Sequence, residues 1–509
     1  MSMQSMMNRL VRKAVLSAFL ATLFASPQTL SGTPGSVVRI SWNESGFPGR
    51  QYTYPFRAGV NHFSSDNRYV VFSSDASNLV DDENGGVSDI FVYDVFLDKI
   101  EIISRANAKE GVLGEQGNGA SYFPSISADG RFVAFQSYST NFTDGDTDTL
   151  ADIFVYDRQM NSIELVSRSN TVNGVPGPKA NKISAMPVIS ANGRYVAFQS
   201  YATNLVANDT DNNWDIYVYD RQTELIELVS KSGRLVEGSE TKGNKFSTGA
   251  AVSGDGRYIA FQSAADNLVD DVPDGKTHIY VFDRMTDTIE LVSRSSSTID
   301  EDGEKANDSS AAVSISNDGR FIAFRSSASN LVNGLMDGYQ QIFVYDRQQK
   351  QTELISRASS MNGELGELAV GHNYEPSISA NGRYVSFRSH ASNLIQGENS
   401  VYGHVFVYDR QTAMITLASA SPEGTHADSG SLYSSINSDG NLVMFSSYAQ
   451  NLAGPQPYRQ VFIKQLPLSD FSESNTGRKQ AVDAPHNTDS DVIADDNKSS
   501  DENKDVPYS

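Results

Sequence analysis

Asp89-Ile-Phe-Val-Tyr-Asp94 returns as Asp152-Ile-Phe-Val-Tyr-Asp157, Asp215-Ile-Tyr-Val-Tyr-Asp220, His278-Ile-Tyr-Val-Phe-Asp283, Gln341-Ile-Phe-Val-Tyr-Asp346 and His404-Val-Phe-Val-Tyr-Asp409. Each copy begins 63 residues after the one before it. A second marker keeps the same beat at Asn78, Asn141, Asn204, Asn267, Asn330 and Asn393, with a last copy at Asn451 after a shortened step. A fixed long period signifies an array of one supersecondary unit rather than a string of unrelated domains.

The second copy shows what the unit builds. Phe123–Ser127 is short and apolar, Ala128-Asp-Gly-Arg131 is a turn, and Phe132–Ser137, Asp152–Tyr156 and Ile163–Ser167 are strand-like runs. The middle runs are apolar without alternation, as strands buried on both faces are, whereas Ile163–Ser167 alternates and belongs outermost. Four short antiparallel strands repeated radially, each sheet covering its neighbours, make the blades of a β-propeller. The sequence predicts an all-β fold of seven four-stranded blades. The seventh copy, with Asn441–Ser447 and Val461–Gln465, has no fourth strand after it. Val37–Ser41 precedes the first copy, and Ser41 lies one period before Ser104, which ends the first copy's own fourth strand. The stretch Val37–Trp42 is therefore expected to complete the last blade and remove two open sheet edges.

Ile126-Ser-Ala-Asp-Gly-Arg-Phe-Val-Ala-Phe135 followed by Asp152–Asp157 resembles the WD-repeat-like units of TolB-type propellers. The resemblance covers residues 36–466 and implies the propeller fold. Propellers of this kind serve as binding scaffolds, as partner domains of peptidases and occasionally as lyases.

The propeller leaves two ends over. Residues 1–35 begin with Arg9, Arg12 and Lys13, then the short apolar Ala14–Ala25, and are expected to be an export signal and leader. Residues 467–509 are acidic and poor in apolar residues, the composition of a disordered tail. The chain has no cysteine, hence no disulfide or thiolate chemistry. It carries a net charge of −22, which argues against nucleic acid or an anionic membrane surface as partner. An exported monomer in the periplasm or outside the cell is expected, without a membrane span, facing a protein or glycan of the cell envelope.

The turns Asp129-Gly130, Asn192-Gly193, Asp255-Gly256 and Asn381-Gly382 are tight hairpin signals on one propeller face. The loops between second and third strands, and the crossings between blades, are long and share the other face, where binding residues concentrate. Acids crowd those loops: Asp81, Asp82 and Glu83; Asp144, Asp146, Asp148 and Asp152; Asp209, Asp211 and Asp215; Asp270, Asp271 and Asp274; and, in a crossing, Asp300, Glu301, Asp302 and Glu304. Asp146/Asp148/Asp152 and Asp209/Asp211/Asp215 share one spacing and could offer oxygens to Ca²⁺, or else belong to solvated loops with the last Asp capping the third strand. No other cofactor is implied. Trp214 lies beside Asp215, placed either to pack its own loop or to stack on a sugar ring or apolar side chain. With Asp270, Asp271 and Asp274 it forms the candidate partner-binding set.

His278 and His404 take the slot of Asp89, Asp152 and Asp215 and are expected to face solvent at the same rim. The recurrent Asn is expected to open each loop as an Asx turn. The Asp-Arg pairs after each third strand are expected to cap a turn and pair between blades. No hydrolase nucleophile elbow, zinc-protease motif or phosphate-binding loop is present. The leading expectation is an exported binding scaffold engaging its partner through the long-loop face. The alternative is a metal-assisted carbohydrate-active enzyme, lyase or hydrolase, on that face or at the channel mouth.

Overall fold

The period of 63 becomes seven antiparallel sheets of four strands each, which hold every strand of the described residues. The structure is a computed structural model. It describes residues 37–41, the backbone of Thr53 and Tyr54, and 61–466 apart from 82–86, 208, 233–240, 271, 273, 299–301, 336–337, 362–363, 396–400 and 456–457. No helix among these residues is long and apolar enough to cross a membrane.

Blade 2 runs outward through Ser121–Ile126, Phe132–Ser137, Asp152–Asp157 and Ser162–Leu165. Its third strand is buried at every position, which explains the unbroken apolar run. Core clusters form between blades rather than within them: Val71, Ile90 and Val92 of blade 1 pack on Val133, Phe135 and Phe154 of blade 2. Each blade thus depends on the next, and the ring must close.

Closure takes place as the period requires. Val37, Val38 and Arg39 pair antiparallel with Lys464, Ile463 and Phe462 of blade 7. Ile40 N–H donates to the Val461 carbonyl (3.0 Å), and Ser41 Oγ donates to Gln460 Oε1 (2.6 Å). Ser104–Asp89 and Ser167–Asp152 make the equivalent bond, at 2.6 and 2.7 Å, between a serine two residues past the fourth strand and the start of the third. Ser41 thus fills a repeat position from the opposite end of the chain. Val38 and Ile40 are buried in the blade 1 cluster and Val37 in that of blade 7. Burial is worth roughly 1.5–3 kcal/mol per such side chain as an upper estimate. Trp42 lies outside the described residues.

The tight turns serve packing. Gly130 has φ +72°, and a Cβ there would come 2.3 Å from the Tyr69 ring of the preceding blade; Gly193 repeats this against Phe132. On the same Tyr69 ring sits the Arg158 guanidinium, 4.0 Å from its centroid, while also pairing with Glu101 at 2.9 Å. Asp157 accepts from the backbone N–H of Gln159 and Met160 and pairs with Arg131 of its own blade. The Asp-Arg dipeptides therefore cap turns and latch blades together, as expected.

The innermost strands surround a channel, and those of blades 2 to 7 are bulged. In blade 2 the register shifts between Tyr122 and Ser125, and Phe123 has φ +57°. The corresponding Met186, Gly249, Ala312, Glu375 and Tyr433 also have positive φ. Left-handed backbone at non-glycine residues costs energy and persists only where its surroundings hold it. Here a glutamine of the preceding blade helps: the N–H groups of Met186, Gly249 and Ala312 donate to Gln136, Gln199 and Gln262 Oε1 at 3.4, 3.1 and 2.9 Å.

Candidate functional site

The acidic loops expected to gather do so, and they enclose something the expectation lacked. Lys179 Nζ, from the crossing after blade 2, stands 2.6 Å from Asp152, 2.9 Å from Asp148 and 3.0 Å from Asp146. One period later Lys242 Nζ stands 2.5 Å from Asp215, 2.6 Å from Asp211 and 3.5 Å from Asp209. In each triad carboxylate oxygens lie within 4.8 Å of one another, close enough to hold a metal ion. The ammonium group sits among those oxygens. Burial works against its charge, but hydrogen bonds to Asp152 and Asp148 and the charge of Asp152 more than offset this and hold Lys179 above its ordinary value.

These are not solvated loops. Asp146 and Asp209 are 1% and 2% exposed, and Asp152 and Asp215 are fully buried; only Asp148 and Asp211 reach solvent. Tyr217 Oη donates to Asp209. Blade 4 keeps a remnant, with Asp274 accepting from His278 Nε2 (3.1 Å) and Lys305 (3.3 Å) while Val272 replaces the buried acid. His278 and His404 are buried, at 0% and 1% exposure, which corrects the expectation that they face solvent. Their slot opens the third strand and packs under the fourth, where Ser293 and Ser419 meet their Nδ1 atoms. Asp271, Asp82, Glu83, Asp300 and Glu301 lie outside the described residues.

The recurrent Asn also differs from expectation. Asn141 Oδ1 accepts from Asn118 N–H and its Nδ2 donates to the Gln116 carbonyl, so it staples the loop to the inter-blade crossing rather than forming a local turn. Trp214 is half-buried and lies against Tyr201, ring centroids 3.8 Å apart. Tyr201 follows the second strand of blade 3. Its repeat counterparts Tyr138, His390 and Tyr448 put one exposed ring each at the same edge of blades 2, 6 and 7.

A second cluster, on blades 5 to 7, has no counterpart in the expectations. The glutamines that steady the bulges give way to Arg325 and Arg388 at the same register. Their guanidinium carbons lie 5.5 and 5.4 Å from the Tyr374 ring centroid. Arg388 Nη2 meets His390 Nε2 at 2.7 Å, and Tyr374 also neighbours the rings of His372 and His390. Glu375 accepts from Tyr433 N–H at 2.8 Å. Burial raises the Glu375 carboxyl, while that hydrogen bond and the charges of Arg388, Arg325 and Arg459 pull it down. Burial also lowers Arg325 from its usual value. Arg325, Glu375 and Tyr433 line a cavity of about 380 Å³ with Gln199, Gln262 and Thr248. At the tight-turn end the channel narrows to a cavity of about 50 Å³.

A sequence-family model, described as a family of unknown function (DUF7453), matches residues 126–458. The chain belongs to that family. No curated protein matches it. Among solved structures, an oligogalacturonate lyase from Vibrio parahaemolyticus is 12% identical over 85% of this chain and 94% of its own, with a TM-score of 0.48. An oligogalacturonate lyase in complex with manganese is 12% identical over 85% and 93%, TM-score 0.47. TolB from Acinetobacter baumannii is 14% identical over 78% and 80%, TM-score 0.36. TolB proteins thus stand among the matches, as the repeats implied.

Proposed function

We propose that the protein is an exported binding propeller that engages a glycan or protein of the cell envelope through its long-loop face. The observation that carries this is the division of labour between faces. One face is made of turns committed to blade packing. The other gathers exposed rings, amides and guanidinium groups around a channel mouth. Rings that lose little conformational freedom and amides that bond either way suit a recognition surface. Expression with the leader intact places the protein in the periplasm or medium if export is correct.

Partner capture from an envelope extract and a glycan array, each with purified wild-type protein and a Tyr201→Ala/Trp214→Ala variant, tests the assignment. Capture is expected to fall at least tenfold in the variant. Capture that survives there but is lost on replacing the exposed Asp129 and Asn192 side chains of the turn face would contradict it.

One observation favours catalysis as a second possibility. Arg388, His390 and Tyr374 touch one another next to Glu375 of the cavity wall, the residue types that acid–base or lyase chemistry on a carbohydrate uses. The acid triads stand on blades 2 and 3 instead. Turnover of an envelope polysaccharide that is lost in His390→Ala, with binding retained, would establish that chemistry.

A further inference from the structure

We propose that the channel mouth at blades 5 and 6 binds a small hydroxylated carboxylate, such as a sugar acid, with Arg325 taking the anionic group and Arg388 beside it. This rests on the binding function above and names a ligand class for the same face.

The repeat itself isolates these arginines. At one position of the second strand, blades 2, 3 and 4 carry Gln136, Gln199 and Gln262, and each accepts a hydrogen bond from the bulged backbone of the next blade. That task needs an acceptor, and a guanidinium has none. Arg325 and Arg388 therefore cannot do the job the position does elsewhere. Blade 6 supplies a substitute for one of them, since Glu375 accepts from Tyr433 N–H in place of Arg388. Packing alone does not account for either arginine.

Arg325 is also expensive where it stands. Partial burial disfavours its charge, and among the described residues its side chain makes no hydrogen bond or ion pair; it lies on the Tyr374 ring and feels the Glu375 carboxylate at longer range. The nearby Glu375 feels three guanidinium groups, those of Arg388, Arg325 and Arg459, and its carboxylate already serves Tyr433. Asp75 adds one more acid near Arg459. Among the described residues three guanidinium groups thus stand against these two acids, in a chain whose net charge is −22. A half-buried guanidinium without a hydrogen-bonded partner is stabilised by an anion that brings its own oxygens, and planar guanidinium matches carboxylate geometry.

The rest of the cavity selects within anions. Gln199, Gln262 and Thr248 line the same cavity as Arg325; the two Oε1 atoms serve the backbone and Gln262 Nε2 donates to Thr248 Oγ1 at 2.9 Å, which leaves amide N–H groups for a ligand. The volume, about 380 Å³, falls in the range of small-molecule sites. Hydroxyl groups on the ligand would meet those amides, which a bare carboxylate would leave to water.

Calorimetry on the full chain with sodium glucuronate, glucose and sodium acetate, on wild type and Arg325→Gln, tests this. Glutamine is the residue that blades 2 to 4 already hold, so the variant should fold, and its melting temperature without ligand should equal or exceed that of wild type. Wild type is expected to bind glucuronate at least tenfold more tightly than glucose, and Arg325→Gln to lose that advantage. Acetate matching glucuronate would keep the carboxylate site and assign it to simple organic acids. Glucose binding as tightly as glucuronate, or glucuronate binding unaffected by Arg325→Gln, would overturn the carboxylate site. Neither result touches partner capture by the Tyr201 and Trp214 surface, which is read separately. No binding of any of the three compounds, with unchanged melting in Arg325→Gln, would also overturn the site.

Discussion

Blades 2 and 3 and blades 5 and 6 descend from one repeat and treat charge in opposite ways. In the former, three carboxylates converge and the chain supplies the cation itself, through Lys179 and Lys242. In the latter, Arg325 and Arg388 replace the glutamines, and Arg325 makes no ion pair among the described residues, feeling Glu375 only at longer range. A charge cluster completed by its own chain is a structural joint, and it ties a loop to the crossing that follows. A half-buried charge without an ion pair of its own points outward to a ligand. Acid content therefore marked the less informative side of the face.

Both regions presuppose a closed ring, and the largest effect should come from opening it. Deleting residues 37–41 removes the strand paired with Phe462–Lys464 and exposes the core of blades 7 and 1. The product should aggregate or lack cooperative melting. A soluble deletion variant melting like wild type would remove the frame on which the comparison stands.

Next in size is the loss of a built-in cation. Lys179→Met leaves the buried carboxylates of Asp146 and Asp152 uncompensated. Removing one partner of a buried ionic cluster costs about 3–5 kcal/mol. Chemical denaturation should show that loss. Ca²⁺ at millimolar concentration should recover part of it by mass action, while wild type, with the ammonium in place, should show no calcium response. A wild-type protein whose melting rises with Ca²⁺ and falls with chelator would show that the triads take metal despite the lysine.

The smallest effect belongs to the exposed member of the same triad. Asp148 lies near solvent, and although its partial burial works against the charge, the hydrogen bond from Lys179 holds the carboxyl below its usual value. A carboxyl lowered on folding contributes stability that is present above its unfolded pKa, near 3.9, and is lost as pH falls through the folded value. Asp148→Asn should therefore cost less than about 1 kcal/mol at neutral pH, as exposed ion pairs do. It should also lessen the protein's loss of stability at acid pH. Identical acid titration curves for variant and wild type would show that Lys179 is held by the buried acids alone.

The sequence made the frame legible because packing enforces the period. Val37–Ser41 could be assigned to blade 7 from the position of Ser41 alone, and the aspartates of each triad could be grouped from their spacing. Lys179 escaped because it lies 27 residues beyond Asp152, in a crossing whose path the sequence leaves open. Its recurrence as Lys242 and Lys305 was the available clue. Arg325 was hidden by its setting: Phe-Ile-Ala-Phe-Arg-Ser reads as one more copy of Phe-Val-Ala-Phe-Gln-Ser until the position is known to meet the channel. His278 and His404 were placed in the right slot but on the wrong side of it, because alternation along a strand buried on both faces gives no outward direction.

The difference between filled and open charge is tested most directly by melting Lys179→Met and Arg325→Gln beside wild type, with and without sodium glucuronate. Lys179→Met is expected to melt lower and keep the glucuronate-induced rise. Arg325→Gln is expected to melt at or above wild type and lose that rise. Arg325→Gln melting well below wild type, with the glucuronate response intact, would contradict the account by showing that the arginine, like the lysine, is a structural counterion.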